Sequence, residues 1–450
     1  MRENGHLSLI EGNLWKAMLK FSIPLLLINL CQAIYSVVDM IIVGQFAGAA
    51  GLTAVGNGSQ ITMIVLTIVM GLANGSAVIV AQLAGAGKKK EITDTVGTMI
   101  LAFVIVGAVL TVVLFVLTKP ILTLLHTPAE AFEQTVWYLR ICLIGTVFVY
   151  LYNIMAALLR GLGNTTIPLI AVALTMVINL ILDFLFVGPL GFGAAGAAAA
   201  TLIAQVICAV CMFRPTWKNY PILQVGRGDL KIQRHALHNL LKIGMPQSIQ
   251  FTLTNISFAF ILGLVNDYGN TASAVSVSVT RLSTFAVLSG QALMGAIIAM
   301  AGQNIGAKQY GRARKGMLIG MIYALPLAFV FFVLSEVSPQ MMLGLFTTDA
   351  GVLSMGAPYL KVMAISFLVE TVMFCMFGLM TGAGYTNITM CCALITAFLV
   401  RYPLARLFSV TLGWGFAGIA WAYPFAPMVS CVICILFILS GRWKVSRFKG

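Results

Sequence analysis

Charged residues are scarce in this sequence. Only 9% of its 450 residues are Asp, Glu, Lys or Arg, whereas 60% are hydrophobic. A soluble protein of this length needs a charged surface that such a composition cannot supply. Apolar runs of 20 or more residues recur along the chain, and each is long enough to cross the roughly 30 Å core of a bilayer. Because the runs lack the alternation of barrel strands, they predict an all-α polytopic membrane protein.

The residue patterns of most enzymes and metal sites are also missing. The sequence has no HExxH or GxSxG motif, and its histidines lie outside the apolar runs, at His6, His126, His235 and His238. Its nine cysteines all lie inside apolar runs, without the loop setting or nearby histidine of a zinc or redox site. We therefore expect neither an enzyme nor a cofactor.

The positive charge is confined to short connections between the apolar runs. The net charge is +14, and 21 of the 27 Lys and Arg residues fall on one side of the predicted spans. That distribution is typical of cytoplasmic loops of a cell-membrane protein, not of a nucleic-acid interface. We expect both termini in the cytoplasm and twelve helices, near 16–43, 54–83, 92–118, 133–159, 167–187, 191–213, 240–266, 274–303, 316–336, 357–380, 388–410 and 414–440.

A long polar connection divides the chain into two related halves. It predicts a six-helix lobe at 1–213, a cytoplasmic linker at 214–239, a second six-helix lobe at 240–440 and a basic cytoplasmic tail at 441–450. Matches recur at a spacing of 221 or 222 residues: Lys20 and Pro24 with Lys242 and Pro246, Tyr138 with Tyr359, and Gly161 with Gly382. Since six spans per copy keep one orientation, a pseudo-twofold axis along the membrane normal is predicted, an arrangement typical of transporters.

Three acids fall well inside predicted spans, where a charge costs at least about 3 kcal/mol. They are Asp39, Asp183 and Glu370. Tyr35 precedes Asp39 by one helical turn, and Asn179 precedes Asp183 by one turn. Counting along the helices puts both aspartates, with Thr201 on the sixth helix, in the outer half of the membrane.

These side chains suggest a site for a small cation. Oxygen ligands can replace water around sodium, whereas two buried carboxylates tend to hold a proton between them. The other interpretation is that the acids are neutral packing groups. In the second half Ile261 aligns with Asp39, and Leu404 or Ala405 aligns with Asp183, so the scaffold itself does not require acids there. The sequence leaves open whether the ion is H⁺ or Na⁺.

Other polar residues in the spans are candidates for a substrate cleft. Glu370 and Arg401 lie at comparable predicted depth on neighbouring helices, where an ion pair serves as a structural lock or as part of the substrate surface. The remaining candidates, each of which can instead bond a neighbouring helix, are Gln32, Asn153, Gln205, Gln250 and Asn255.

The order of these motifs resembles the multidrug and toxic-compound extrusion (MATE) family over essentially the whole chain. The resemblance rests on Pro24, Tyr35 and Asp39 in the first helix, and on Ala81-Gln82-x-x-Gly85-x-Gly87 after the second. It continues in Leu159-Arg160-Gly161-x-Gly163-x-Thr165 and in Asn179-x-x-x-Asp183. No acid lies between Lys242 and Asn266, where one branch of the family carries one.

The resemblance implies two six-helix lobes and export driven by proton or sodium entry. It assigns Asp39, Asn179, Asp183 and Thr201 to the cation site. We also expect a bend in the first helix at Pro24. We expect antiport of organic molecules, chiefly cations, by a protein that functions as a monomer in the lipid bilayer. The alternative is a flippase for a lipid-linked oligosaccharide or another amphiphile, which should carry more basic residues than Arg281, Arg401 and Arg406.

Overall fold

The structure is a computed structural model that describes residues 9–445 except 125, 126 and 227, with the backbone alone at 49, 50 and 52. All regular structure in this part of the chain is helical. Two of the histidines named above lie outside it, His6 and His126, as do four of the 21 basic residues counted on one side of the spans: Arg2, Arg227, Arg447 and Lys449. The predicted basic tail is described only as far as Val445, where Arg442–Lys444 form a single 3₁₀ turn.

The helices agree with the predicted spans and extend beyond most of their ends. In the first half they are α1 Leu14–Phe46, α2 Gly48–Gly85, α3 Lys89–Leu124, α4 Ala129–Gly161, α5 Thr166–Val187 and α6 Gly193–Asn219. In the second half they are α7 Arg234–Asn266, α8 Asn270–Ala286, α9 Leu288–Gly306, α10 Tyr310–Val337, α11 Pro339–Gly344, α12 Ala350–Gly382, α13 Thr386–Leu394, α14 Tyr402–Arg406 and α15 Gly415–Leu439.

The number of spans fits the prediction. Within the described residues, eleven helices are long and apolar enough to cross a bilayer, and a twelfth span results if α8 and α9 count together. The all-α fold class is therefore confirmed. The predicted helix 274–303 is two helices that meet at an angle of 43°. Ser289 and Gly290 follow the break, and such a pair is a common cause of kinks.

The predicted eleventh span is the least regular. Between α13 and α15 the chain forms wide π-helical turns at Ile395–Arg401 and Leu407–Thr411, on either side of α14. Pro403 has no backbone N–H, so it cannot donate to the carbonyl four residues earlier. By contrast, α1 runs through Pro24 as one uninterrupted α-helix, so the predicted bend at Pro24 is not a break in this structure.

The described chain forms two compact units, each with its own apolar core. Leu27–Gly244 form the first unit, and the described residues of Met245–Gly450 form the second together with those of Ser8–Leu26. The connection between the halves is shorter than predicted, because α6 continues to Asn219 and α7 begins at Arg234. Long basic side chains near a helix end reach water while the helix itself continues, which explains why charge alone misplaced these ends.

The start of α1 packs in the second unit. The Arg312 guanidinium donates to the carbonyls of Leu9 (3.3 Å), Glu11 (3.0 Å) and Gly12 (3.0 Å). Asn304 Nδ2 donates to the same Leu9 carbonyl at 3.1 Å, and Leu9 is fully buried. We call this set of hydrogen bonds the Arg312 clamp. It fixes the chain just before the helix that carries Asp39.

A comparable set of contacts holds the chain before α7 in the first unit. Thr93 Oγ1 donates to the Ile222 carbonyl at 3.0 Å, and Thr98 Oγ1 donates to the Lys231 carbonyl at 2.9 Å. Both threonines lie near the start of α3, as Arg312 lies near the start of α10. In each half of the repeat, the chain before the first span is therefore held near the start of the third span, α3 or α10. The two halves differ in that α1 begins in the second unit and α7 begins in the first.

A close helix contact explains why α7 begins in the first unit. At Gly75 on α2, an added Cβ would lie only 2.9 Å from the Gly244 backbone. At Gly244, an added Cβ would lie 3.0 Å from Leu72 Cα. Only glycine allows two backbones to approach so closely, and small residues serve this purpose between membrane helices generally.

Candidate cation site

The first unit gathers all five predicted cation-site residues. Tyr35 and Asp39 lie one turn apart on α1, Asn179 and Asp183 lie one turn apart on α5, and Thr201 lies on α6. All five belong to the unit formed by Leu27–Gly244. The helical period therefore placed each pair on one face correctly, and the bundle brings the three helices together.

Hydrogen bonds from the neutral side chains Tyr35, Asn179 and Thr201 link the three helices. The hydroxyl groups of Tyr35 and Thr201 are 3.3 Å apart. With the Asn179 amide oriented to satisfy both neighbours, its Nδ2 donates to Asp183 Oδ2 at 2.8 Å and its Oδ1 accepts from the Thr201 backbone N–H at 3.2 Å. This orientation is assigned from the hydrogen-bond network. The amide thus fixes one oxygen of the Asp183 carboxylate.

The carboxylates of Asp39 and Asp183 lie next to each other. The Asp39 and Asp183 side chains are within hydrogen-bonding reach of each other. Asp183 is fully buried, whereas Asp39 is half-buried. One oxygen of each, Oδ1, is buried and has no hydrogen-bond partner among the residues that the structure describes. Buried oxygens of this kind are costly unless they are satisfied, so a proton or a small cation between the carboxylates fits the donor set.

Tyr138 and Cys142 on α4 close the apolar side of the site, and neither was predicted from the sequence as a site residue. Tyr138 is 8% exposed and packs in a cluster with Cys142, Val43 and Val187. It lies close enough to Asp39 and Tyr35 to interact with them electrostatically. The recurrence of Tyr138 as Tyr359 in the repeat marked it as part of the scaffold, but nothing in the local sequence indicated its position beside the acids.

The equivalent place in the second unit is part of the apolar core. Ile261 is 1% exposed and Ala405 is fully buried, and both lie in one apolar cluster with Tyr359. Leu404 packs against the same cluster. The duplicated scaffold therefore fills this position with hydrocarbon where the first unit holds two aspartates.

The second unit carries its intramembrane charges elsewhere. Arg401 lies at the end of a π-helical turn and is 7% exposed. Its Nη1 donates to Ser257 Oγ at 3.2 Å, and its guanidinium carbon lies 4.5 Å from the centre of the Phe258 ring. Glu370 is half-buried and near enough to Arg401 to interact electrostatically. Within the described residues the two form no direct ion pair, so the hypothesised contact is not formed.

The family model MatE matches the chain twice, over residues 24–185 and 246–407. The two matches begin at Pro24 and Pro246, the prolines that aligned in the internal repeat. Together they cover well over half of the chain. The chain belongs to the MatE family. The resemblance that its motifs carried is thereby confirmed, as is the duplication.

Full-length relatives of this MatE protein share modest identity with it. The probable multidrug resistance protein YpnP of Bacillus subtilis (strain 168) is 28% identical over 97% of both chains. The multidrug export protein MepA of Staphylococcus aureus (strain NCTC 8325 / PS 47) is 24% identical over 97% of this chain and 96% of its own. The probable multidrug resistance protein NorM of Thermotoga maritima is 23% identical over 95% and 93%.

Solved structures show the same fold. A MATE crystal structure in the straight conformation matches with a TM-score of 0.92 at 20% identity, over 98% of this chain and all of the other. A mutant of the Vibrio cholerae MATE transporter VcmN matches with a TM-score of 0.87 at 23% identity, over 96% and 98%. At such identities the likeness concerns the fold alone. It agrees with the predicted two-lobe, twelve-helix class.

The remaining cleft candidates of this MatE protein differ in their surroundings. Gln32 and Asn255 are exposed. Asn153 is bonded within its own helix, its Nδ2 donating to the Val149 carbonyl at 2.8 Å. Gln205 and Gln250 each have a buried Oε1 that finds no hydrogen-bond partner within the described chain. Gln205 packs on Gly145 of α4, beside helices of the cation site, which makes it the strongest candidate of this set in the first unit.

Proposed function

We propose that this MatE protein exports drug-like organic molecules, chiefly cations, in exchange for protons or sodium ions. The supporting observation is the contact between Asp39 and Asp183, each with one unpartnered buried oxygen. Placing an acidic side chain inside a membrane span costs free energy, so such acids usually face an ion or substrate pathway. The printed names of the relatives, multidrug resistance and multidrug export proteins, favour drug-like cargo.

The proposed cycle is alternating access. Cargo enters from the cytoplasm, and the lobes then open outward. A proton or sodium ion binds between Asp39 and Asp183, offsets the repulsion of the two carboxylates and holds α1 against α5 and α6. Because Asp39 is on the helix that contains Pro24, ion binding favours a rearranged α1 that holds cargo less tightly. The ion leaves on the cytoplasmic side, and the cycle restarts.

The energetics limit the stoichiometry. A tenfold gradient of cargo costs about 1.4 kcal/mol, and one charge crossing 100 mV supplies about 2.3 kcal/mol. Exchange of one ion for one monovalent organic cation moves no net charge, so only the chemical gradient of the ion would drive it. Two carboxylates in contact provide room for a second coupling charge, which steep export of cations requires.

We propose that the protein works in the cell membrane as a monomer, with both termini in the cytoplasm. The orientation rests on the side that holds 21 of the 27 Lys and Arg residues. The proposal that the protein works as a monomer is based on the presence of all proposed cation-site residues in one chain. Cysteine labelling from outside intact cells tests the orientation: a cysteine introduced at Ser440 should react only after the cells are opened.

Resistance to cationic dyes in an expressing strain tests the proposed export. We expect expression to raise resistance, and Asp39→Asn to remove most of the gain while the protein still reaches the membrane. Asp267→Asn is the matched control, because Asp267 is an exposed acid in the turn between α7 and α8. Unchanged resistance in the Asp39→Asn strain would contradict the proposed role of the carboxylates.

A further inference from the structure

A large groove lies between α4 and α6, outside the cation site. Its volume is about 870 Å³, within the usual range of roughly 300–1,000 Å³ for small-molecule sites. Its apolar walls include Phe148, Leu151 and Met155 on α4 and Phe213 on α6. The whole groove belongs to the first unit. No step of the proposed export uses it.

One end of this groove is basic. Arg214 and Lys218 line it, lie one turn apart on the last part of α6 and are both exposed. Neither forms an ion pair within the described residues. The Phe213 and Trp217 rings stack beside them, with centroids 5.4 Å apart. Gln224 Nε2 donates to the Trp217 carbonyl at 2.6 Å and so holds the following chain at this end.

The groove opens on a surface that suits hydrocarbon. Trp137 and Ile144 precede Leu151 at intervals of seven residues and therefore share its helix face; they are 57% and 52% exposed. On α6, Val210 lines the groove and is 59% exposed. Large apolar side chains with this exposure, in helices long enough to span a bilayer, face lipid. We infer that the groove opens toward lipid on the side where Val210 lies.

We propose that this groove binds an anionic phospholipid. The phosphate lies against Arg214 and Lys218, and one acyl chain lies between Phe148, Leu151 and Phe213. Two unpaired cations above an apolar furrow complement an amphiphile with a negative head, and basic pockets between membrane helices are known to take such headgroups. A zwitterionic lipid also carries a phosphate, but its ammonium group cancels that charge and leaves the basic end of the groove with a net positive charge. A soluble anion would leave the apolar furrow unfilled.

The position of the groove gives the lipid a structural consequence. One wall is α4, which carries Tyr138, and the other is α6, which carries Thr201. A lipid bound between them holds together two helices that line the cation site. The proposal does not depend on ion exchange or on drug transport, since it concerns binding and stability of the first unit.

Thermal unfolding of the purified protein in detergent tests the proposal. We expect phosphatidylglycerol to raise the unfolding temperature more than phosphatidylcholine of the same acyl chains. Arg214→Gln with Lys218→Gln should weaken the response to phosphatidylglycerol about thirty-fold in lipid concentration, at about 1 kcal/mol per basic residue. Ala209 also lines the groove. Ala209→Phe, which fills the furrow and keeps both charges, should therefore weaken the response as well.

Arg314→Gln with Lys315→Gln is the matched control, because these two exposed basic residues lie near the start of α10 in the second unit and do not line the groove. The control should respond to lipid as the wild type does. Equal stabilisation by both lipids, or equal losses in the control and in the Arg214/Lys218 variant, would overturn the proposal. A drug that displaces phosphatidylglycerol from the wild type one for one would assign the groove to cargo instead and would equally overturn it.

Discussion

Asp39 and Asp183 have the same chemistry but different surroundings. Asp183 is fully buried and receives a hydrogen bond from Asn179, whereas Asp39 is half-buried. An ion entering the proposed site would therefore meet Asp39 first and would then be held against Asp183. Because the second unit fills the same place with Ile261 and Ala405, removal of the charge should not cost the fold.

Asp183→Asn should abolish ion-driven transport and leave the folded protein at least as stable as the wild type. The amide removes the repulsion between the Asp39 and Asp183 carboxylates but can no longer bind a cation as an anion does. Thermal unfolding and vesicle transport check the two parts of this prediction. If the variant transports at the wild-type rate, Asp183 has no part in coupling; Asp267→Asn should behave as the wild type does in both assays.

Tyr35→Phe should weaken the apparent ion affinity without abolishing transport. It removes a single neutral hydroxyl, 3.3 Å from Thr201 Oγ1, and a hydrogen bond of this kind contributes about 1 kcal/mol net. The ion concentration at half-maximal rate should rise about five-fold. Tyr268→Phe, near the start of α8, is the control and should leave that concentration unchanged. No shift for Tyr35→Phe would exclude its hydroxyl from the site.

Arg401→Gln should destabilise the protein more than Glu370→Gln. Arg401 is buried and bonded to Ser257 and stacked on Phe258, while Glu370 has no direct ion pair in the described chain. We expect the double variant to unfold close to Arg401→Gln, because the charges are not in contact. Recovery of wild-type stability in the double variant would instead establish the structural lock.

The sequence was sufficient to identify the acids of the candidate site, but not most of the side chains that surround them. Asp39 and Asp183 stand out because charge is costly in a span, and the helical period added Tyr35 and Asn179. Tyr138 and Cys142 carry no comparable signal, since aromatic and cysteine side chains are ordinary in apolar helices. The partners of Arg401 were missed because a π-helical turn changes the face on which later residues lie.

At the scale of helices, α1 and α7 each begin in one unit and continue in the other. The aligned prolines lie beside these crossings, Pro24 before Leu27 and Pro246 after Gly244. The repeat predicted that the prolines are equivalent. It did not predict the crossings, because the contacts that create them are long-range: the Arg312 clamp on residues 9–12, and the approach of Gly75 to Gly244.

Arg312→Ala should lower the unfolding temperature and slow transport. The variant leaves the Glu11 and Gly12 carbonyls without this donor, and hydrogen bonds from charged groups contribute about 2 kcal/mol each. Thermal unfolding in detergent measures the loss. Arg314→Ala, an exposed neighbour on the same helix, should have little effect. An Arg312→Ala protein as stable as the wild type would show that the clamp does not fix α1.

At the scale of the whole molecule, the two halves share their helical scaffold but differ in the side chains at equivalent positions. The family match repeats over 24–185 and 246–407, yet within the described part of the chain only the first unit places two carboxylates in contact. Composition and periodicity sufficed to predict the fold class and the span count. The angle between α8 and α9 and the additional helix Pro339–Gly344 were not predicted, because local packing sets such breaks within otherwise continuous apolar runs.

Transport by reconstituted vesicles, with a pH gradient and a sodium gradient imposed separately, tests the central claim most directly. We expect uptake or release of a cationic dye to follow at least one of the two gradients, and this dependence to vanish in both Asp39→Asn and Asp183→Asn while Asp267→Asn retains it. Dye movement that ignores both gradients in the wild-type protein, or that follows a gradient equally well without either carboxylate, would contradict the claim.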